Sequence, residues 1–315
     1  MPSRSTMNPW ARVSAIAFLA CLWIGLPVHA SGGITSIVSF GDSLTDTGNL
    51  FAATGQPPAP YDMGRFSNGP LWIEYVANQL GVAAPTASLP GGSNYAWAGA
   101  ATGDGLAPSG VPNTGLQIGT YLASNTPGAT QLFTLWAGAN DFLAYGQTNP
   151  SIPVSNIGNE ITTLASAGAK HFVVPNLPLL GDLPATNTLP QIQRDALNQL
   201  TSSFDSILHS ELSQLRQSLG ITIYEPDIKS FLENPLANPA QYGFTNVTTS
   251  ALGDGVLSGQ GYLFWDEIHP TTDGHRFIAS FAAASMVPEP DSMTLMLGSL
   301  GVLLVGWKVH RGRTA

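Results

Sequence analysis

The chain is predicted to be an α/β protein whose parallel sheet is covered by helices on both faces. Three observations predict this. Short apolar runs rich in β-branched and aromatic residues recur along the 315 residues. Segments with apolar positions every three or four residues lie between them. Gly and Pro mark many of the junctions. Strands separated by helices build parallel sheets with both faces buried, and reactive groups then gather beyond the carboxyl ends of the strands.

The elements follow in order. A first strand is expected over Ile34–Phe40, bounded by Gly33 and Gly41. Leu71–Leu80 has helical spacing and follows Pro70, whose fixed φ suits a first helical position. Gln131–Ala137 reads as a second strand, Ile157–Ala167 as a helix ending at Gly168, and His171–Val174 as a third strand stopped by Pro175. The longest helix spans Gln191–Leu219, with Leu197, Leu200, Phe204, Leu208, Leu212 and Leu215 on one stripe. Gly220 ends it, and Ile221–Tyr224 forms a fourth strand. A last helix covers Asp273–Ala284, capped by Thr272 or Asp273. Thr102–Gly119 and Asn234–Gly261 are rich in Gly, Pro, Asn and Thr, and are expected to be loops over the reactive face.

The two ends stand apart from this pattern. Arg4 and Arg12 precede an apolar run from Val13 to Leu26, and Pro27-Val28-His29-Ala30 follows. A basic start, an apolar middle and small residues at the −3 and −1 positions describe a secretory signal over residues 1–30, cut after Ala30. An uncleaved membrane anchor is the alternative. Residues 287–315 begin with Val287-Pro288-Glu289-Pro290, continue through an apolar stretch from Ser292 to Trp307, and end with Lys308, Arg311 and Arg313. The apolar stretch is shorter than the roughly 20 residues of a square bilayer span, and its basic flank can snorkel. This order resembles the PEP-CTERM sorting signal of Gram-negative bacteria. The resemblance implies membrane association through the C-terminus, processing by an exosortase, a companion exopolysaccharide, and a final place at the cell surface, outside the cell or in the periplasm. Simple tail anchoring stays open beside it.

Residues 31–286 then form the central domain. Cys21 is the only cysteine, so a chain cut after Ala30 has no disulfide, thiolate nucleophile or cysteine-bound metal. An ordinary apolar core must hold it. Between Ser31 and Val287 stand 18 acidic side chains against 6 Lys and Arg. That balance repels nucleic acid and anionic surfaces at long range and favours neutral substrates.

The chemistry concentrates in a few positions. Ser43 lies in Gly41-Asp42-Ser43-Leu44, just past the first strand. A serine hydroxyl becomes a useful nucleophile when an imidazole takes its proton and a carboxylate orients that imidazole. Asp266 and His269 stand three residues apart in Trp265-Asp266-Glu267-Ile268-His269-Pro270, a spacing that one tight loop accommodates. The rival histidines fit less well. His209 is off the apolar stripe of the long helix and should be solvated. His171 starts a strand with no acid nearby, and His275 sits in the first turn of the last helix. An oxyanion needs donors aimed at it. Gly99 would let a backbone N–H approach closely, and Asn140, following the second strand, could offer its amide. Taken singly, each has a plain alternative: a turn-capping serine, a structural histidine, a packing glycine, a turn asparagine. There is no Gly-x-Ser-x-Gly and no His-Glu-x-x-His.

Taken together, these blocks resemble the GDSL-type esterases and lipases of the SGNH hydrolase superfamily. The matching stretches are Gly41–Leu44 with Asp46, Gly48 and Asn49; Asn94–Gly99; Gly138-Ala139-Asn140-Asp141; and Asp266–His269. Gly64–Pro70 and Asn176–Pro184 further resemble the plant-type and secreted bacterial branch. Ala98 departs from the glycine often found there, without touching Gly99. The resemblance runs from Ile34 to Ala284. It implies a flavodoxin-like, three-layer αβα sandwich with a parallel sheet of about five strands. It implies Ser43 as nucleophile, His269 as base and then acid, Asp266 as orienting carboxylate, and an oxyanion hole from Ser43, Gly99 and Asn140. No cofactor or metal is implied. The expected substrates are acyl or lipid esters. A carbohydrate O-acetylesterase is the rival within the enzyme class, and a non-catalytic matrix or adhesion protein the rival outside it.

Overall fold

The structure, a computed structural model, describes residues 33–286. Both predicted sorting segments, 1–30 and 287–315, lie outside the described residues. Among the described residues no helix is long and apolar enough to cross a membrane.

The chain runs β1 (Ser36–Gly41), α1 (Asn49–Thr54), α2 (Trp72–Leu80), α3 (Thr114–Leu122), β2 (Gln131–Trp136), α4 (Ala139–Leu143), α5 (Ser151–Ser166), β3 (His171–Val173), α6 (Gln191–Leu219), β4 (Thr222–Tyr224), α7 (Ile228–Ala237), a 3₁₀ turn (Pro239–Tyr242), β5 (Asn246–Ser250), β6 (Tyr262–Phe264) and α8 (Thr272–Ser285). Strands β1 to β4 pair in sequence order, all parallel, with Ser36 opposite Gln131 and His171 opposite Leu132 and Thr222. Every residue of Ile37–Phe40 and Leu132–Trp136 is buried, which requires cover on both faces of the sheet. Helix α2 packs on α8, and α5 packs on α6 with α3 beside it. This is the α/β sandwich expected from the alternation.

The sheet differs from the expectation in its strand count. It has four regular strands rather than about five. The remaining edge, beside β1, is taken by segment 93–97: Ser39 N–H donates to Ser93 O at 3.0 Å, Tyr95 N–H to Ser39 O at 2.7 Å and Trp97 N–H to Gly41 O at 3.1 Å. Only Asn94 bridges Ser39 with strand geometry, because the segment bends to serve the site described below.

The two expected loops also contain regular structure. Within Thr102–Gly119 the start of α3 forms, burying Thr114, Gln117, Ile118 and Tyr121 at helical spacing. Gly115 and Gly119 lower its propensity, but that buried stripe overrides them. Within Asn234–Gly261 lie the end of α7, the 3₁₀ turn and β5, which pairs in parallel with β6 as a small second sheet. The short helices α1 and α4 carry too few turns to show a period in sequence.

Candidate functional site

The site begins where β1 ends. Gly41 has φ +146°, and a Cβ there would collide with the carbonyl oxygen of Trp136 on β2, so the strand can leave the sheet here only as glycine. The chain then turns. Thr45 and Asp46 N–H donate to Asp42 O, and Leu44 N–H donates to Asp42 Oδ1 at 3.0 Å. This sets Ser43 at the carboxyl end of the sheet.

Asp46 and two asparagines stitch this turn to segment 93–97. Asp46 accepts from the N–H groups of Gly48, Asn49 and Leu50, which opens α1, and from Ala98 N–H at 2.9 Å. Asn49 Nδ2 donates to Asn94 O at 2.7 Å and to Ala96 O at 2.8 Å. Asn94 Nδ2 donates to Thr45 O at 2.6 Å. All three side chains are fully buried, so each contact replaces water that is not available there.

His269 arrives from the other end of the chain, on the loop after β6. Asp266 Oδ1 accepts from Ile268 N–H at 2.9 Å and from His269 N–H at 2.7 Å, a side-chain turn that Asp favours. Trp265 N–H closes the loop on His269 O at 2.7 Å. Across it, Asp266 Oδ2 lies 2.8 Å from His269 Nδ1, and His269 Nε2 lies 2.7 Å from Ser43 Oγ. Burial alone would raise the Asp266 carboxyl. Its hydrogen bonds with the His269 side chain, the imidazole's charge and the two loop N–H groups outweigh burial and bring it down to about 2. The carboxylate is therefore ionised over any working pH. Asp42, in contrast, is pushed up to about 6, mainly by burial, with Leu44 N–H and His269 pulling against it.

Gly99 and Asn140 lie on two segments joined through Ala100 and Tyr145. Gly99 has φ +85°, and its carbonyl accepts from Tyr145 Oη at 2.6 Å. Asn140, in the first turn of α4, donates one amide hydrogen to Ala100 O at 2.9 Å, and among the described residues the other has no acceptor. Among the described residues no protein acceptor takes the N–H of Ser43 or of Gly99. Asp141 holds the next turn through Thr102 N–H at 3.1 Å and Thr102 Oγ1 at 2.7 Å. Ser43, His269 and Asp266 thus form one hydrogen-bonded relay, while Asn140 is held to the segment of Gly99 through Ala100 O, just beyond the Trp97 N–H bond to Gly41 O.

Several neighbours had not been anticipated. Tyr61 Oη donates to Asp266 Oδ2 at 2.8 Å, and Phe66 lies against the His269 ring with centroids 5.0 Å apart. Both come from a loop without periodicity; only the Gly64–Pro70 block hinted at it. Tyr145 gave no sequence signal. Of the rival histidines, His209 is 69% exposed at its side chain, as expected. His275 is fully buried, and among the described residues neither ring nitrogen has a hydrogen-bond partner.

The family model described as GDSL-like Lipase/Acylhydrolase matches residues 37–281. The chain is 30% identical over 276 residues to the thermolabile hemolysin of Vibrio parahaemolyticus, covering 78% of this chain and 62% of that longer protein. It is 26% identical over 319 residues to the phosphatidylcholine-sterol acyltransferase of Aeromonas hydrophila, covering 82% and 93%. A GDSL esterase/lipase of Arabidopsis thaliana is 26% identical over 327 residues, covering 81% and 90%. Among solved structures, a lipolytic protein of the G-D-S-L family from Veillonella parvula superposes with a TM-score of 0.46 at 16% identity, covering 79% of this chain and 97% of that one.

Proposed function

We propose, since the chain belongs to the GDSL-like lipase/acylhydrolase family and is a carboxylic ester hydrolase, that it works through Ser43, His269 and Asp266 with an acyl-enzyme intermediate. The observation that carries this reading is the unbroken relay from Ser43 Oγ through His269 to Asp266, at 2.7 and 2.8 Å. Ser43 Oγ attacks the ester carbonyl carbon as its proton passes to His269 Nε2. The new oxyanion accepts from Ser43 N–H, Gly99 N–H and the free amide hydrogen of Asn140. Collapse breaks the bond to the alcohol oxygen, which leaves with the proton from His269. Water then attacks the acyl-enzyme, His269 takes its proton, and the acid departs as Ser43 is restored. Asp266 stays ionised and holds the ring in the tautomer that exposes Nε2 to Ser43.

The substrates in this reading are acyl or lipid esters rather than acetylated sugars. What supports it is an apolar pocket of about 290 Å³ whose wall includes Leu44, next to Ser43, and Ile268 and Pro270, on either side of His269. Leu232, Leu236 and Phe264 also line it, and an acetyl group would leave such a space empty. Matched p-nitrophenyl acetate and octanoate test the choice. Each methylene buried should raise kcat/KM roughly fourfold. A preference for acetate would replace this reading with the carbohydrate O-acetylesterase. The role of Ser43 is tested by Ser43→Ala, which should lower turnover by several orders of magnitude in a folded protein; a wild-type rate would end the assignment.

Export belongs to the same proposal, with residues 1–30 as the signal, 31–286 as the hydrolase domain and 287–315 as a PEP-CTERM-like segment handled by an exosortase, in the plant-type and secreted bacterial branch. Its support is the order of basic, apolar and small residues at each end. Intact mass of the exported protein should show an N-terminus at Ser31; a retained Met1 would refute the signal.

A further inference from the structure

We propose that Tyr61 is a positioning residue for the hydrolysis, holding the Asp266 carboxylate on the imidazole of His269. The proposal rests on the reading of Ser43, His269 and Asp266 given above. The two oxygens of Asp266 are anchored differently. Oδ1 is tied to its own loop by Ile268 N–H and His269 N–H, at 2.9 and 2.7 Å. His269 Nδ1 lies between the two oxygens, 2.9 Å from Oδ1 and 2.8 Å from Oδ2, and the one other group bonded to Oδ2 among the described residues is Tyr61 Oη, also at 2.8 Å. The phenol therefore fixes the carboxylate oxygen that neither loop N–H holds, and so keeps both oxygens turned to the imidazole.

Tyr61 is itself held in place. Its ring stands edge-on to Trp265, with centroids 6.2 Å apart at 89°, and packs on Phe66 at 5.6 Å. Phe66 in turn covers the His269 ring. The segment is clamped at its base, where Asp62 N–H donates to Ser67 O at 2.9 Å. Arg65 forks onto both oxygens of Glu74 on α2 at 2.8 Å each, the bidentate geometry in which Arg is strongest. Ser67 Oγ donates to Pro270 O at 3.0 Å, joining the segment to the histidine loop. The result is a brace from α2 to the acid end of the relay.

The chemistry explains why a donor belongs there. When His269 accepts the proton from Ser43, positive charge appears on the ring, and Asp266 must remain anionic and in line. A donor on Oδ2 favours the anion and resists rotation of the carboxylate. Burial, and then the adjacent Asp266 charge, push the phenol above its ordinary range, so Tyr61 stays a donor whenever the enzyme works.

The test is Tyr61→Phe, which keeps the ring and its packing but removes the hydroxyl. With p-nitrophenyl butyrate, kcat should fall roughly tenfold, the scale of a hydrogen bond to a charged group. KM should stay within about twofold and the thermal midpoint should not move. The decisive measurement is a cycle with Asp266→Ala, or Asp266→Asn should the alanine variant not fold, each corrected with a Ser43→Ala blank. If Tyr61 acts through the carboxylate, Tyr61→Phe changes kcat less than about twofold once the carboxylate is gone. Equal losses in both backgrounds, or a wild-type kcat for Tyr61→Phe beside an inactive Ser43→Ala, would overturn the proposal and leave the Ser43 reading standing. An active Ser43→Ala would instead remove the reading on which it rests.

Discussion

Thr114 Oγ1 donates to Glu160 Oε1 at 2.6 Å, joining the first turn of α3 to the middle of α5. The same oxygen accepts from Gly103 N–H at 2.9 Å, while Glu160 Oε2 is buried with no partner among the described residues. Burial lifts this carboxyl from 4.5 to about 7, against the pull of Thr114 and Gly103 and with a push from Asp141 and Asp104. Between those two values the folded chain keeps a proton that the unfolded chain releases, so this group's contribution to stability falls as pH rises through that window. Glu160→Gln should therefore lose less thermal stability than wild type between pH 5 and pH 8, in the same buffers. Parallel melting curves for the two proteins would refute the buried proton.

His275 makes the opposite prediction. Burial pushes it from 6.5 down to about 3, with the charge of nearby His269 adding to the effect. As pH falls below 6.5 the unfolded chain takes up a proton that the folded chain refuses, so stability is lost on the acid side. His275→Leu should raise the melting temperature at pH 5 by about 4 °C relative to wild type and change it little at pH 8. An equal change at both values would show that the imidazole's ionisation is not involved.

Gly41→Ala tests the junction between β1 and the serine turn. The new methyl would meet the Trp136 carbonyl at a backbone φ that side chains rarely adopt. A loss of about 3 kcal/mol or more is expected from urea denaturation. A wild-type midpoint would mean that the strands separate here at little cost.

Asn140→Ala removes the amide donor proposed for the oxyanion and also releases Ala100 O. Turnover should fall roughly 100- to 1,000-fold in kcat. Steady-state kinetics on a short-chain ester distinguish the roles: a loss confined to KM would assign Asn140 to substrate binding instead.

Much of the site was legible because its residues sit at the ends of regular elements. Ser43 follows β1, Asn140 follows β2, and Asp266 with His269 follows β6, where apolar runs give way to turn formers. Helix α6 matched its predicted span from Gln191 to Leu219, since a long apolar period and a terminal glycine leave little choice. What was missed lacked such signals. Helix α3 was hidden by Gly115 and Gly119, and the expected fifth strand became segment 93–97, bent by side-chain hydrogen bonds that sequence spacing does not encode. Tyr61, Phe66 and Tyr145 lie in loops, where no period marks a facing partner. His275 was placed only in the first turn of a helix, and its full burial follows from tertiary packing, in which α8 lies against α2.

The sequence by itself determined the order of strands and helices, the parallel sheet and the chemical groups at the strand ends, because these follow from local propensity and from which face of each element is apolar. Tertiary structure alone decided the contacts between distant loops. Ser43 meets His269 across 226 positions, and Tyr61 meets Asp266 across 205. An amphipathic pattern says that a face is buried but not what buries it. Those partners are chosen only when α2, α8 and the sheet pack together and bring their connecting loops within hydrogen-bond reach.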